Sequence, residues 1–259
     1  MGDLIAYRYN NATPKNPEWA KNWGDIIAPT IIKHFSEANV VSTSNYHVQN
    51  KIISIGSVFW ANRQNDIIWG TGIQQAGDIG DYADRVDIRA VRGPLTRNEL
   101  LKVGIECPEI YGDPGLLYPL IYKPTHIQKT HKFGLIPHYI DLNHPNVKLL
   151  ENAGFKIIDI LAGETEFIDQ LLSVNIVFSS SLHGLIAADA YGIPNTRIKF
   201  SDKLVGGDFK FQDYASSVNR NTWQAIDAIT PGKIELNSLL PNIKIDWDPE
   251  PLLKAAPWI

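Results

Sequence analysis

Residues 175–194 read NIVFSSSLHGLIAADAYGIP, and the fold is decided there. Ile176, Val177 and Phe178 are a β-branched and aromatic run suited to a buried strand, three serines follow, and helix-forming residues take over at Leu182. The pattern is strand, turn, helix. Ser180 or Ser181 suits an N-cap, since a serine oxygen accepts from the free amides of a first helical turn. The helix is expected to run to Tyr191, with Gly192 as its stop and Pro194 just beyond. His183 then falls in the first turn, beside Leu182, unpaired backbone amides and the positive end of the helix dipole. Hydroxyls, amides and an imidazole converge on one point, which reads as a site for phosphate or carboxylate. An ordinary capped helix with a packed histidine is the other reading.

The rest of the chain repeats this unit. Strand candidates lie at 4–9, 51–57, 66–72 and 86–91, with helical spacing after Asp25 and after Pro94. Strands alternating with helices give parallel βαβ units. Residues 123–132 are polar, carry Pro124 and lack an apolar period, so a domain boundary is expected there. A new strand at 132–138 restarts the pattern, followed by a strand at 156–160, a helix at 164–172, the opening unit and a strand at 196–200. Two doubly wound, Rossmann-like α/β domains follow, the first over 1–126 and the second over 127–259. A helix is expected at 223–229, and a C-terminal segment packed through Trp247, Leu252 and Trp258.

In an open parallel sheet, ligands bind beyond the carboxyl ends of the strands. Several residues fall at such ends. Asn22 and Asp25 sit where the first loop meets a helix, as ligands or as plain caps. Gly72 ends a strand and allows close backbone approach. Arg92 follows another strand, where a guanidinium grips a carboxylate or phosphate through two parallel bonds or makes a surface ion pair. Asp113 opens a Gly-Asp-Pro-Gly turn and is either a turn residue or a base or sugar ligand. His138 stands at the mouth of the first strand of the second half, and Lys210 closes a Gly- and Lys-rich loop over 201–211.

Composition narrows the partners. The chain has 259 residues, 44% of them hydrophobic, a net charge of −4 and no basic run, which disfavours nucleic acid. A single cysteine, Cys107, rules out an internal disulfide and suits a reducing compartment; no Cys/His spacing builds a structural zinc site. Neither a signal peptide nor a stretch of roughly 18 apolar residues is present, so a cytoplasmic protein without a transmembrane segment is expected.

Ser180-Ser181-Leu182-His183-Gly184-Leu185 with Ala190 to Pro194, Asn22-Trp23-Gly24-Asp25, Arg92-Gly93-Pro94-Leu95-Thr96 and Gly112-Asp113-Pro114 together resemble the polysaccharide pyruvyl transferase family. The resemblance runs from about Tyr7 to Tyr214. It implies two facing domains of the glycosyltransferase-B type, phosphoenolpyruvate as donor and no cofactor or metal. It also implies a sugar or lipid-linked oligosaccharide acceptor, capped as a pyruvate ketal with release of phosphate, in a protein working at the inner face of the membrane. His183, Arg92 and Asp113 take the catalytic roles under this resemblance. Asn22, Asp25, Gly72, His138, Ser180, Ser181, Leu182 and Lys210 bind substrate. Many members carry arginine where this chain has Ser181, which shifts the donor's grip to the helix start and to Arg92 or Lys210. A nucleotide-sugar glycosyltransferase and a non-catalytic carbohydrate-binding relative are the rival readings; a homo-oligomer is left open.

Overall fold

A computed structural model describes residues 2–220, 224–235 and 245–259. The first five strands are β1 (Leu4–Tyr7), β2 (Val40–Thr43), β3 (Lys51–Ile53), β4 (Ile67–Trp69) and β5 (Asp87–Ala90). They form one sheet in the order β2-β1-β3-β4-β5. The next five are β6 (His131–Ile136), β7 (Lys156–Ile157), β8 (Val174–Ser179), β9 (Asn195–Lys199) and β10 (Ala225–Asp227). They form a second sheet in the order β7-β6-β8-β9-β10. Every strand pairing is parallel. The two sheets therefore share one winding, with the strand order reversing between β1 and β3 and again between β6 and β8. Those reversals open crevices at the carboxyl ends of the strands.

The helices are α1 (Trp23–Ile26), α2 (Ala28–Ser36), α3 (Pro94–Lys102), α4 (Pro145–Asn152), α5 (Glu164–Leu172), α6 (Leu182–Ala190), α7 (Phe209–Ser217) and α8 (Glu250–Lys254). Helix α6 ends where its sequence signals, with Gly192 at φ +66°. It is apolar on most sides because it is enclosed: Leu182, Leu185, Ile186, Ala187 and Ala188 are all buried. A Cβ on Gly184 would lie 2.3 Å from Ser179 Oγ and 3.0 Å from Ile136, so this glycine lets α6 sit directly on β6 and β8.

Two elements depart from the sequence reading. Strand β2 was unsignalled, and within 223–229 residues Ala225–Asp227 form a strand instead of a helix, with Trp223 outside the described residues. The edge of the second sheet decides the latter: β10 pairs in register with Arg197, Ile198 and Lys199, and this pairing overrides weak local preference.

The lobes are joined through a shared core. Trp23 is fully buried, its ring 5.3 Å from both Tyr118 and Phe167. Its backbone amide donates to Ile160 O at 2.9 Å and its Nε1 to Glu164 O at 3.2 Å. Thr30 and Tyr118 donate to the Glu164 carboxyl at 3.0 and 3.2 Å. Truncating such a tryptophan costs about 3–5 kcal/mol. The C-terminal residues also cross over. Trp69 Nε1 of β4 donates to Leu252 O at 2.9 Å, and the Trp258 ring lies 4.9 Å from Trp69. Residues of the second half thus help to cover the first sheet.

Candidate active site

The strand ends deliver their side chains to one cleft of about 250 Å³. From the first lobe come Tyr9 and Asn11 after β1, Asn22 and Asp25 at α1, Ser57 and Val58 after β3, and Gln74 after β4. From the second come His138 and Tyr139 after β6, Ser181, Leu182 and His183 at the start of α6, and Lys203 and Lys210 around the start of α7.

Glycine makes the central contact. A Cβ on Gly24 would lie 1.9 Å from Cγ and Nδ1 of His183, so the bare backbone of α1 makes room for the imidazole. Asn22 fixes this turn by accepting from the Gly24 amide at 3.2 Å. Ser181 occupies the N-cap position of α6 in extended conformation but makes no capping bond. Its amide donates instead to Ser179 Oγ at 3.1 Å, leaving the Ser181 side chain on the cleft wall. Ser180 is buried and does not line the cleft; its Oγ accepts from the His138 amide at 2.7 Å and anchors that loop.

Burial sets the charges. Asp25 is pushed up to about 7 by burial, against the Asn11 Nδ2 bond of 3.0 Å and the nearby Lys210 and Arg8. His183 is pushed down to about 3 by burial, helped by Lys210 and Arg92. His138 falls to about 3 by burial, with Lys210 and His183 acting in the same direction. Lys210 falls to about 8, from burial and the repulsion of Arg92 and Arg197, opposed by Asp25. Near neutral pH the Lys210 ammonium therefore shares the cleft with two neutral imidazoles and the Asp25 carboxyl, which titrates in the same range. Among the described residues no hydrogen bond or ion pair occupies the Lys210 ammonium.

Three residues expected at the site lie beneath it. Arg92 is fully buried. Its Nε and one terminal nitrogen engage Asp213 Oδ2 at 3.0 and 2.9 Å, and the same nitrogen donates to Ile73 O at 2.8 Å. The other terminal nitrogen donates to Ser57 Oγ at 2.6 Å. Asp213 also accepts from the Thr96 amide and hydroxyl at 2.9 and 2.8 Å. The guanidinium thus ties α7 to the first lobe, one turn after Lys210. Gly72 serves this pair, since a Cβ there would lie 2.4 Å from Arg92 Cζ. Asp113 is fully buried, with Oδ1 accepting from the Gly115 amide at 2.9 Å. Burial raises it to about 6, opposed by the Gly115 amide, Arg92 and the Gly56 amide.

Sequence reasoning singled out Asn22, Asp25, His138, Ser181, Leu182, His183 and Lys210, all on the cleft wall. It passed over Tyr9, Asn11, Ser57, Gln74 and Tyr139. All five follow strand ends, which was the available signal.

Two parallel sheets of one winding, with a cleft lined by histidine, lysine and carboxyl side chains, define an α/β protein of Rossmann-like architecture. The sequence model described as polysaccharide pyruvyl transferase matches residues 7–200, and the chain belongs to that family. The match ends before Lys203 and Lys210. Uncharacterized protein L143 of Acanthamoeba polyphaga mimivirus is 29% identical over 240 residues, covering 87% of this chain and 82% of that protein. Succinoglycan biosynthesis protein ExoV of Rhizobium meliloti (strain 1021) is 28% identical over 146 residues, covering 55% of this chain and 44% of that protein. No helix of the described residues is long and apolar enough to cross a membrane.

Proposed function

We propose that the protein transfers the pyruvyl group of phosphoenolpyruvate to two hydroxyls of a sugar in a polysaccharide precursor, forming a ketal and releasing phosphate. The observation that carries this reading is that Lys210, whose ammonium has no hydrogen bond or ion pair among the described residues, lines the same cleft as the start of α6, His183 and Asp25. A cation and a helix N-terminus favour a small, multiply charged acid. About 250 Å³ lies just under the roughly 300–1,000 Å³ of drug-sized pockets, which suits a compact donor with part of a sugar ring and leaves little room for a nucleotide sugar.

The chemistry divides among the residues. Lys210 and the α6 amides hold the donor's phosphate and carboxylate. Asp25, poised near neutral, takes the proton of the first attacking hydroxyl as its oxygen bonds to the central carbon. His183, protonated when the donor's negative charge enters the cleft, delivers a proton to the methylene carbon, which becomes the methyl group. The carbon–oxygen bond to phosphate then breaks, the second hydroxyl adds to the cationic carbon, and its proton leaves with phosphate. Asp25 then passes its proton back to His183, so that over the full cycle one hydroxyl proton is accounted for in the methyl group and the other on phosphate. Arg92 acts through Asp213 and α7 to position Lys210. The reading carries a cytoplasmic location, at the inner face of the membrane where a lipid-linked acceptor is within reach.

A melting scan with phosphoenolpyruvate, inorganic phosphate and a set of nucleotide sugars tests the donor. Phosphoenolpyruvate at a hundred times its Kd stabilises a one-site protein by about 2.7 kcal/mol. A shift with nucleotide sugars and none with phosphoenolpyruvate overturns the reading. His183→Ala, still folded, is expected to abolish phosphate release in the presence of acceptor; loss of tenfold or less, about 1.4 kcal/mol, removes the histidine from the chemistry.

A further inference from the structure

Among the buried side-chain atoms without a hydrogen-bond partner are Nε2 of His183 and Oδ2 of Asp113. Buried polar atoms are ordinarily paired, so each points to a partner supplied in the working state. Both residues border the same glycine. A Cβ on Gly56 would lie 4.0 Å from His183 Cε1, the carbon between the two ring nitrogens, and the Gly56 amide donates to the Asp113 carboxyl. They converge a second time through Gly115, whose Cβ would lie 3.0 Å from Asp113 Oδ1 and 3.3 Å from Ile186, one turn beyond His183 on α6. That same Cβ would lie 3.7 Å from Ile27, next to the helix whose Gly24 accommodates the imidazole. The ring edge carrying Nδ1 lies against Gly24, between Asn22 and Asp25 on the cleft wall. His183 thus lines the cleft while its Nε2 is enclosed, in the same interior that holds the unpartnered Oδ2 of Asp113.

We propose that Asp113 is the positioning partner of His183, its free Oδ2 accepting the Nε2–H directly or across one buried water, so that Nδ1 is the nitrogen that exchanges a proton with bound substrate. The identity of that substrate rests on the pyruvyl-transfer reading; the pairing does not. Asp113 takes no proton in the reaction. It selects the tautomer with Nε2–H and stabilises the imidazolium, which burial, Lys210 and Arg92 oppose. In the transfer step Nδ1–H gives its proton to the methylene carbon, the carbon–carbon π pair forms the new C–H bond, and His183 returns to neutral with Nε2–H in place. The acceptor's proton goes to Asp25.

The test is ring-nitrogen NMR of the full chain labelled with 15N-histidine, first without ligand. The wild type is expected to hold His183 as the Nε2–H tautomer. In Asp113→Asn the amide oxygen must take the place of Oδ1, because the Gly115 amide donates there. The amide NH2 then replaces Oδ2 and donates, which drives His183 to the Nδ1–H tautomer. The Kd for phosphoenolpyruvate should stay within about twofold while phosphate release falls at least tenfold. An Nδ1–H tautomer in the wild type, or equal tautomer populations in wild type and variant, overturns the pairing. If Asp113→Asn does not fold, the wild-type spectrum decides alone. A phosphoenolpyruvate titration that leaves the melting temperature unchanged defeats the donor assignment without touching the tautomer result.

Discussion

Replacing Arg92 with methionine tests whether its guanidinium belongs to the scaffold. The side chain is fully buried, and all its nitrogens are engaged, by Asp213, Ser57 and Ile73. Methionine keeps much of the volume but leaves the Asp213 carboxylate buried with only the Thr96 amide and hydroxyl as donors. Removing one member of a buried ion pair costs about 3–5 kcal/mol, because the remaining charge loses its compensation in a medium that solvates it poorly. For a chain of this size each kcal/mol moves Tm by about 2–4 °C, so a fall of about 6–20 °C is expected. Scanning calorimetry at pH 7 measures it. The double variant Arg92→Met, Asp213→Asn removes the stranded charge while keeping acceptors for Thr96, and should recover part of the loss. A Tm for Arg92→Met within about 2 °C of the wild type would refute the scaffold role and return Arg92 to direct contact with the donor.

The other expectations concern the cleft itself. Gly24→Ala ordinarily favours a helix, but here its methyl would meet the His183 ring, so phosphate release should fall at least tenfold; unchanged turnover means the ring does not sit against α1. Phosphoenolpyruvate affinity should weaken as pH rises through about 8, where Lys210 loses its proton, and Lys210→Arg should flatten that dependence; isothermal titration between pH 6 and 9 reads it. The turnover rate should rise through about pH 7 as Asp25 ionises, and Asp25→Asn should remove that limb of the profile. The same raised carboxyl binds its proton more tightly folded than unfolded. Its stabilising contribution is therefore full below the ordinary aspartate range and lost as pH rises through about 7. Asp25→Asn should accordingly raise Tm at pH 8 and leave it unchanged near pH 3; no gain at pH 8 means the carboxyl is not held up by burial.

What the sequence made legible was local. The helix Leu182–Ala190 carried its own stop in Gly192, and Glu164–Leu172 carried an acidic first turn and an apolar stripe, so both were recognisable from their neighbours. The edge strands were not. Val40–Thr43 and Ala225–Asp227 are strands because a neighbouring strand offers its backbone groups, and nothing within those residues announces it. The site divided along the same line. His183, Asp25 and Lys210 stand at element starts, where position along the chain implies position in the cleft. Arg92 also follows a strand end, yet its partner Asp213 lies 121 residues away, and no spacing rule connects them. Asp113 looked like a turn residue or a ligand, and its full burial follows from the packing of α6 and the segment Pro114–Leu120 around it.

Trp23 sits one residue before the glycine that receives the imidazole, with its own ring locked between Tyr118 and Phe167. The seat of α1 against α5 and the segment Pro114–Leu120 is thereby fixed by solid packing, so a hinge-like opening of the halves would have to break that core first. On the pyruvyl-transfer reading, entry and exit of substrate would fall to the surface segment 203–207, which reaches across to Gln74 and carries Gly206 and Gly207 at positive φ. Chimeras that exchange whole halves between relatives should consequently fail unless the tryptophan and its aromatic neighbours travel together, whereas exchanges of that short segment should alter which acceptors are admitted and leave the donor's seat intact.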